Sequence, residues 1–147
     1  MVSSRRRARC IALQVLYEID LAGHDQASAV ESLLSTEVLS ETNRQFVRDI
    51  VSGIIKYRQE LDGYITRFAP SWPLTQLSVI DRNILRLSIY ELLHVDTTPV
   101  KVAINEAVEL AKAFGSDNSP KFVNGVLSSV SSTILDSGNT GRKDFFK

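Results

Sequence analysis

The chain has 147 residues, 44% of them hydrophobic and 23% charged, the balance of a globular protein large enough to bury a core. No apolar run approaches the ~18 residues of a membrane span. The single cysteine, Cys10, rules out an intrachain disulfide and a thiol-based metal site. The early arginines have no apolar segment behind them, so a secretory signal is not expected, and a reducing cytoplasm is the expected location. The 17 basic and 17 acidic residues cancel unevenly. Arg5, Arg6, Arg7 and Arg9 all precede the first acidic residue, Glu18, and the chain beyond residue 17 holds 13 basic against 17 acidic residues. A basic end on an acidic body reads as a localised anion-binding surface, with a solvated, frayed terminus as the alternative.

The hydrophobic period is helical almost throughout, with no alternating strand and no hairpin signal. A first helix is predicted from about Arg5, with Ala8, Ile11, Ala12, Val15, Leu16 and Ile19 on one face and Gly23 as its end. Roughly opposite lies a narrower stripe of Arg6, Cys10, Leu13 and Tyr17, which places the helix between two layers or offers a surface to a partner. Ser28 to Glu31 reads as a capping box for a short second helix that packs Val30, Leu33, Leu34 and Val38 inward. Thr42 to Gln45 would cap a third, built on Phe46, Val47, Ile50, Val51 and Ile54. A change of apolar phase predicts a break between Lys56 and Gln59. Leu61, Tyr64, Ile65 and Phe68 carry the next helix, and Pro70 and Pro73 around Trp72 stop it.

Leu77 to Leu93 is apolar nearly all round, as in the middle of a bundle, yet holds Asp81, Arg82, Arg86 and Glu91, which must reach a rim or pair with each other. Thr98 is predicted to cap a helix with Pro99 in its first turn, Ile104, Ala107, Val108 and Ala111 inward and Gly115 as its stop. Ser119-Pro120 starts the last helix, whose stripe is Val123, Val126, Leu127, Val130 and Ile134. Residues 1–135 are expected to form one helical domain and 136–147 a flexible tail.

Catalytic chemistry is not indicated. His24 and His94 lack metal-ligand spacing, the glycines form no phosphate loop, and Glu106, Glu109 and Lys112 read as a solvated helix face. No enzyme, cofactor or metal is expected. Phe122 is the informative residue, lying about 100° off its helix's core stripe, in the first turn, beside Lys121. A base could stack on the ring while the helix end and the lysine hold a phosphate. A hydrophobic staple or a core-edge ring is the equal alternative. Phe68 reads first as core, and the Asn118 amide could meet a base edge or stabilise its own turn.

Four stretches together carry a resemblance. They are Arg5-Arg6-Arg7-Ala8-Arg9 with Ala12-Leu13-Gln14-Val15-Leu16-Tyr17; Asp81-Arg82-Asn83-Ile84-Leu85-Arg86-Leu87 with Tyr90-Glu91-Leu92; Val102 to Lys112; and Lys121-Phe122-Val123-Asn124-Gly125-Val126-Leu127. In order and spacing they resemble the NusB family of bacterial transcription antitermination factors over about residues 3 to 135. The resemblance implies an all-α fold of about seven helices in two packed subdomains. It implies non-catalytic binding of single-stranded, boxA-type RNA from ribosomal RNA leaders, as a heterodimer with the ribosomal protein NusE, within an RNA polymerase antitermination complex. Carried over by position, Arg5, Arg6, Arg7, Arg9, Phe68, Asn118, Lys121 and Phe122 would face RNA, and Tyr17 and Asp81 the protein partner. Position 118 is often acidic in the family, so Asn118 removes a charge that would repel phosphate; Phe68 lacks a phenolic hydroxyl found in some members. Two rivals are a helix-turn-helix DNA binder using residues 97–135, whose last helix is poor in base-reading side chains, and a homodimer through the Cys10, Leu13 and Tyr17 stripe.

Overall fold

A computed structural model describes residues 4–69 and 74–136. Among these, the chain is all-helical, with seven α-helices, one short 3-10 turn and no strand. They are α1 (Ser4–Ala22), α2 (Gln26–Leu34), α3 (Glu41–Lys56), α4 (Arg58–Phe68), α5 (Val79–His94), α6 (Val100–Phe114) and α7 (Ser119–Asp136), with the 3-10 turn at Leu74–Gln76. Two compact units divide at Tyr57, where the phase change predicts a break. The expected Pro70-Ser71-Trp72-Pro73 stop and the tail from residue 137 lie outside the described residues.

In the first unit, α1 packs on α2 and α3, and α2 on α3. The predicted core stripe of α1 is buried from Ala8 to Leu16, and Leu13 joins it at 1% exposure. Of the outer stripe, therefore, Leu13 belongs to the interior and only the half-buried Arg6 and Cys10 and the exposed Tyr17 reach the surface. Gly23 ends α1 with φ +69°, the left-handed region glycine enters without strain, and its N–H meets the Ile19 carbonyl at 3.1 Å. The caps differ from the predicted ones. Asp25 caps α2 by accepting from the Ser28 N–H at 3.1 Å, so Ser28 is inside the helix it was expected to start. Ser40 caps α3 through the Asn43 N–H at 3.2 Å, two residues before Thr42. Aspartate and serine are both strong N-caps, and each helix begins at the earlier one available. Val38 is not inward but 94% exposed. The loop turns it out because Glu37, its neighbour, is tied inward by the Arg7 guanidinium and by Arg44 on its carbonyl. All five apolar residues predicted for α3 are buried.

In the second unit, α5 is central, packed against α4, α6 and α7. Ten of its residues are buried, Asn83 to Ile89 and Glu91 to Leu93, as the all-round apolar pattern requires. Its polar residues find partners mostly on other elements rather than on each other. Arg86, 3% exposed, makes a two-point ion pair with Asp62 of α4 at 2.7 and 3.1 Å and also donates to Asn83 at 3.3 Å. The Thr98 hydroxyl donates to buried Glu91 at 3.2 Å. Thr98 is thereby diverted from the expected cap, and Pro99 takes the N-cap position of α6 without a side-chain bond. Val123, Val126, Leu127, Val130 and Ile134 all lie inside, each worth about 1.5–3 kcal/mol on full burial. In α6 the inward set is Ala103, Ala107, Leu110 and Ala111, with Ile104 and Val108 at its margin.

A candidate nucleic-acid interface

The four arginines do not share one face. At 100° per residue, Arg5 and Arg9 lie about 40° apart beside the Ala12 and Leu16 stripe, while Arg7 points about 160° from Arg9. Arg5 spreads its guanidinium over the Phe46 ring at 4.0 Å and donates from Nε to the Asn43 side-chain Oδ1 at 2.8 Å. The Arg9 guanidinium lies 5.7 Å from the same ring and the residue is 4% exposed. Arg9 thus departs from the expectation of a phosphate contact. Its flank of the core stripe places it inside, and a cation over an aromatic face keeps its charge compensated there. Arg7 is half-exposed and paired with Glu37, and Arg6 is half-buried. Next to Arg5, a groove of about 530 Å³ is lined by Glu41, Thr42, Gln45, Phe46 and Asp49. Its two carboxylates offset the arginine, so the first unit offers phosphate less net charge than the sequence suggests. Tyr17 is 36% exposed and Leu21, one turn on, 59%. Together they extend an apolar strip at the α1 C-terminus that Leu21 alone did not signal.

The second unit collects the remaining candidates. A cavity of about 320 Å³ is lined by Gln76, Leu77, Ser78 and Asp81 from the start of α5, and by Ser116, Asn118, Ser119 and Phe122 from the start of α7. The connection before α7 is tightly built. The Ser119 hydroxyl accepts from the Ser116 N–H at 2.9 Å and lies 3.2 Å from the Ser116 hydroxyl, so this buried serine braces the loop. A Cβ on Gly115 would come within 2.6 Å of the Ser119 side chain and 2.8 Å of the Ala111 carbonyl. Gly115 is therefore needed for space, its φ of −93° being open to any residue. The brace leaves Asn118 and Lys121 exposed and Phe122 half-buried on the cavity wall. Half-burial on a cavity wall fits a stacking ring and a core-edge ring alike.

Asp81 sits on the opposite wall. Its N–H is capped by the Ser78 hydroxyl at 3.0 Å, and its carboxylate lies in the first turn of α5, where the helix dipole favours it. One carboxylate oxygen, Oδ1, is buried without a hydrogen-bond partner. An unsatisfied buried acceptor costs about 1–3 kcal/mol. The resemblance divides Asp81 from Asn118 and Phe122, partner side from RNA side, whereas the structure sets all three around one cavity. Ser78, Ser116 and Ser119 line it too; of these only Ser119 stood out in the sequence, as a helix start, and the Ser-Asp-Asn-Ser run was the available sign of a braced loop. Phe68 stands apart from this cavity's lining. Half-buried, it stacks on Tyr64 with centroids 6.5 Å apart, under the Arg67 guanidinium at 4.9 Å. No group of three or more His, Cys, Asp or Glu side chains among the described residues could hold a metal ion.

Among the described residues, seven helices in two compact units, with arginines at the start of α1 and an aromatic beside a lysine at the start of α7, define an all-helical protein. The chain belongs to the NusB family, whose pattern it matches over residues 6–132. A transcription antitermination protein NusB from Dehalococcoides mccartyi (strain CBDB1) is 51% identical over 139 residues, covering 95% of this chain and 97% of that one. Its counterpart from Herpetosiphon aurantiacus is 49% identical over 131 residues, covering 87% and 90%. Among solved structures, T. maritima NusB superposes with a TM-score of 0.83 at 36% identity, covering 90% of this chain and 93% of that one. A chain from the crystal structure of antitermination factors NusB and NusE in complex with double-stranded RNA gives 0.81 at 25% identity, covering 90% and 99%.

Proposed function

We propose that this chain is a non-catalytic transcription antitermination factor of the cytoplasm that binds RNA jointly with NusE. The RNA is of the single-stranded boxA type found in ribosomal RNA leaders, and the assembly acts on RNA polymerase. The observation that carries the reading is the wall at the start of α7, where half-buried Phe122 follows exposed Lys121 and lines one cavity with exposed Asn118. A ring with one free face stacks any base, and a lysine at a helix N-terminus holds the adjoining phosphate. Arg6 and Arg7 extend the backbone contact; Arg5 and Arg9 hold the helix that presents them. Phe68 under Arg67 is a second stacking candidate. Tyr17, with Leu21, is the candidate protein-docking strip, for NusE or for a second copy of the chain.

Phe122→Ala should weaken binding of a boxA-type single strand by about 1–3 kcal/mol, the usual worth of a base–aromatic stack. The ring is only half-buried, so the melting temperature should fall little. Titration by fluorescence anisotropy, with calorimetry of the same samples, separates the two effects. Unchanged RNA affinity with a large loss of stability would make Phe122 a structural ring and remove the site. The NusB–NusE complex with double-stranded RNA gives a reason to run a duplex of the same sequence alongside. Tighter duplex binding would replace the stacking reading with one based on groove shape and backbone contacts.

A further inference from the structure

The charged side chains of α4 pair off, with one exception. Asp62 takes the two-point bond from Arg86 and has Arg58, one turn before it, at 3.7 Å. Glu60 Oε1 lies 2.7 Å from the His94 Nε2. Arg67 is left over. It is exposed, and among the described residues no carboxylate or carbonyl oxygen accepts from it. Its guanidinium lies 4.9 Å from the centroid of the Phe68 ring, and that ring stacks in turn on Tyr64. The cation is thus held against an aromatic with its five N–H donors unspent, in the planar fork that matches an oxyanion. The dipole at the end of α4 favours a positive charge in this last turn but makes no use of those donors.

Gly63 stands one turn before Arg67 on the same side of α4. Helical side chains lean toward the N-terminus, so Arg67 lies over the turn that Gly63 occupies. A glycine inside a helix is destabilising relative to alanine, and nothing in the described fold asks for one here. Its φ is not positive, and a Cβ added to it would meet no atom within 4 Å. The missing side chain leaves bare backbone beside the unspent guanidinium. Resting on the RNA reading above, we propose that Gly63 and Arg67 form a seat for a backbone phosphate of single-stranded RNA, built from residues other than those of the α7 wall. Arg67 takes two phosphate oxygens through its fork, the Phe68 ring supports the guanidinium, and Gly63 lets the sugar-phosphate chain come against the helix. A cation set beside aromatic rings is the pattern of single-strand grooves. Such a seat contributes strength and no base choice, since every nucleotide carries the same phosphate.

The test titrates a boxA-type single strand and a scrambled strand of equal length against two variants, over a range of salt. Arg67→Gln should weaken both strands by the same factor and lower the salt slope by about 0.7, so that its deficit shrinks about 3-fold between about 50 and about 200 mM salt. Gly63→Gln should raise the melting temperature, a good helix former replacing a poor one, and yet weaken both strands several-fold by filling the space beside Arg67. Weaker binding by a more stable protein cannot come from damage to the fold. Wild-type affinity and salt slope in Arg67→Gln overturn the proposal, as does a Gly63→Gln that binds RNA like wild type. A loss confined to the boxA-type strand overturns it too, because a phosphate contact does not read sequence. Weaker NusE binding by Arg67→Gln with RNA binding intact assigns the cation to the protein partner and likewise overturns the seat. A wild type that binds neither strand overturns the RNA reading itself.

Discussion

Arg5, Arg7 and Arg9 illustrate how one residue type divides into two roles within little more than a turn of helix. Arg5 and Arg9 lie on the flank of the α1 core stripe, and both meet the Phe46 ring, at 4.0 and 5.7 Å. Arg7, about 160° round the helix from Arg9, is half-exposed with Glu37 as its partner. The arginine count was legible in the sequence; the division was legible only through the helical angle, and the Phe46 contact belongs to tertiary packing. Arg5→Ala and Arg9→Ala should each lower stability, by about 0.5–2 kcal/mol for the lost cation–π contact. Arg7→Ala should leave stability almost unchanged and reduce the salt dependence of RNA binding by about 0.7 in slope, the value of one single-strand phosphate contact. Denaturant melts and RNA titrations over a range of salt read the two effects separately. An unchanged salt slope in Arg7→Ala would take that residue out of the interface.

Between elements, the surface tie that links α2 to α3 is a two-point ion pair. Arg48 reaches Glu31 at 3.0 and 3.2 Å and Glu41 at 3.4 Å. Hydrogen bonding to Arg48 holds the Glu31 carboxyl below the usual glutamate range, and the same bond raises the Arg48 guanidinium. A carboxyl depressed in the folded state binds its proton less readily there than in the unfolded chain. Its contribution is therefore full above the ordinary glutamate pKa of about 4.3 and is lost as pH falls through the depressed value. The pair is solvent-exposed and screened, so the effect is small. Thermal melts from pH 6 down to pH 3 should show an acid-side loss that is shallower in Glu31→Gln and flattened by salt. Equal slopes in both proteins would mean that the pair does not hold the two helices. At this scale the sequence was most informative where burial decides the outcome, as in α3, the centre of α5 and the stripe of α7. Caps and loops were less legible. Asp25 and Ser28, or Ser40 and Thr42, are chemically equivalent starts, and the selection depends on which turn the chain can close. Thr98 shows the same limit: its hydroxyl serves buried Glu91, a demand that no local pattern announces.

Over the whole molecule, the helical class, the break at Tyr57 and the central place of α5 all follow from periodicity. The cavity between the starts of α5 and α7 does not, since it depends on Ser78, Asp81, Ser116 and Phe122 meeting across the 37 residues that separate Ser78 from Ser116 in the sequence. The charge pattern bears on the proposed assembly. Beyond residue 17 the chain carries more acidic than basic residues, and two of its basic starting residues are engaged with Phe46. Such a protein holds a long RNA poorly by itself, and a basic partner would extend the positive surface along the strand. Binding linkage then requires that NusE and RNA raise each other's affinity by one common factor. RNA titrations at fixed NusE concentrations, matched by NusE titrations at fixed RNA, measure it directly. Equal enhancement in both directions, of about 5- to 150-fold, is the result predicted here; an RNA affinity that NusE leaves unchanged would contradict the joint-binding account.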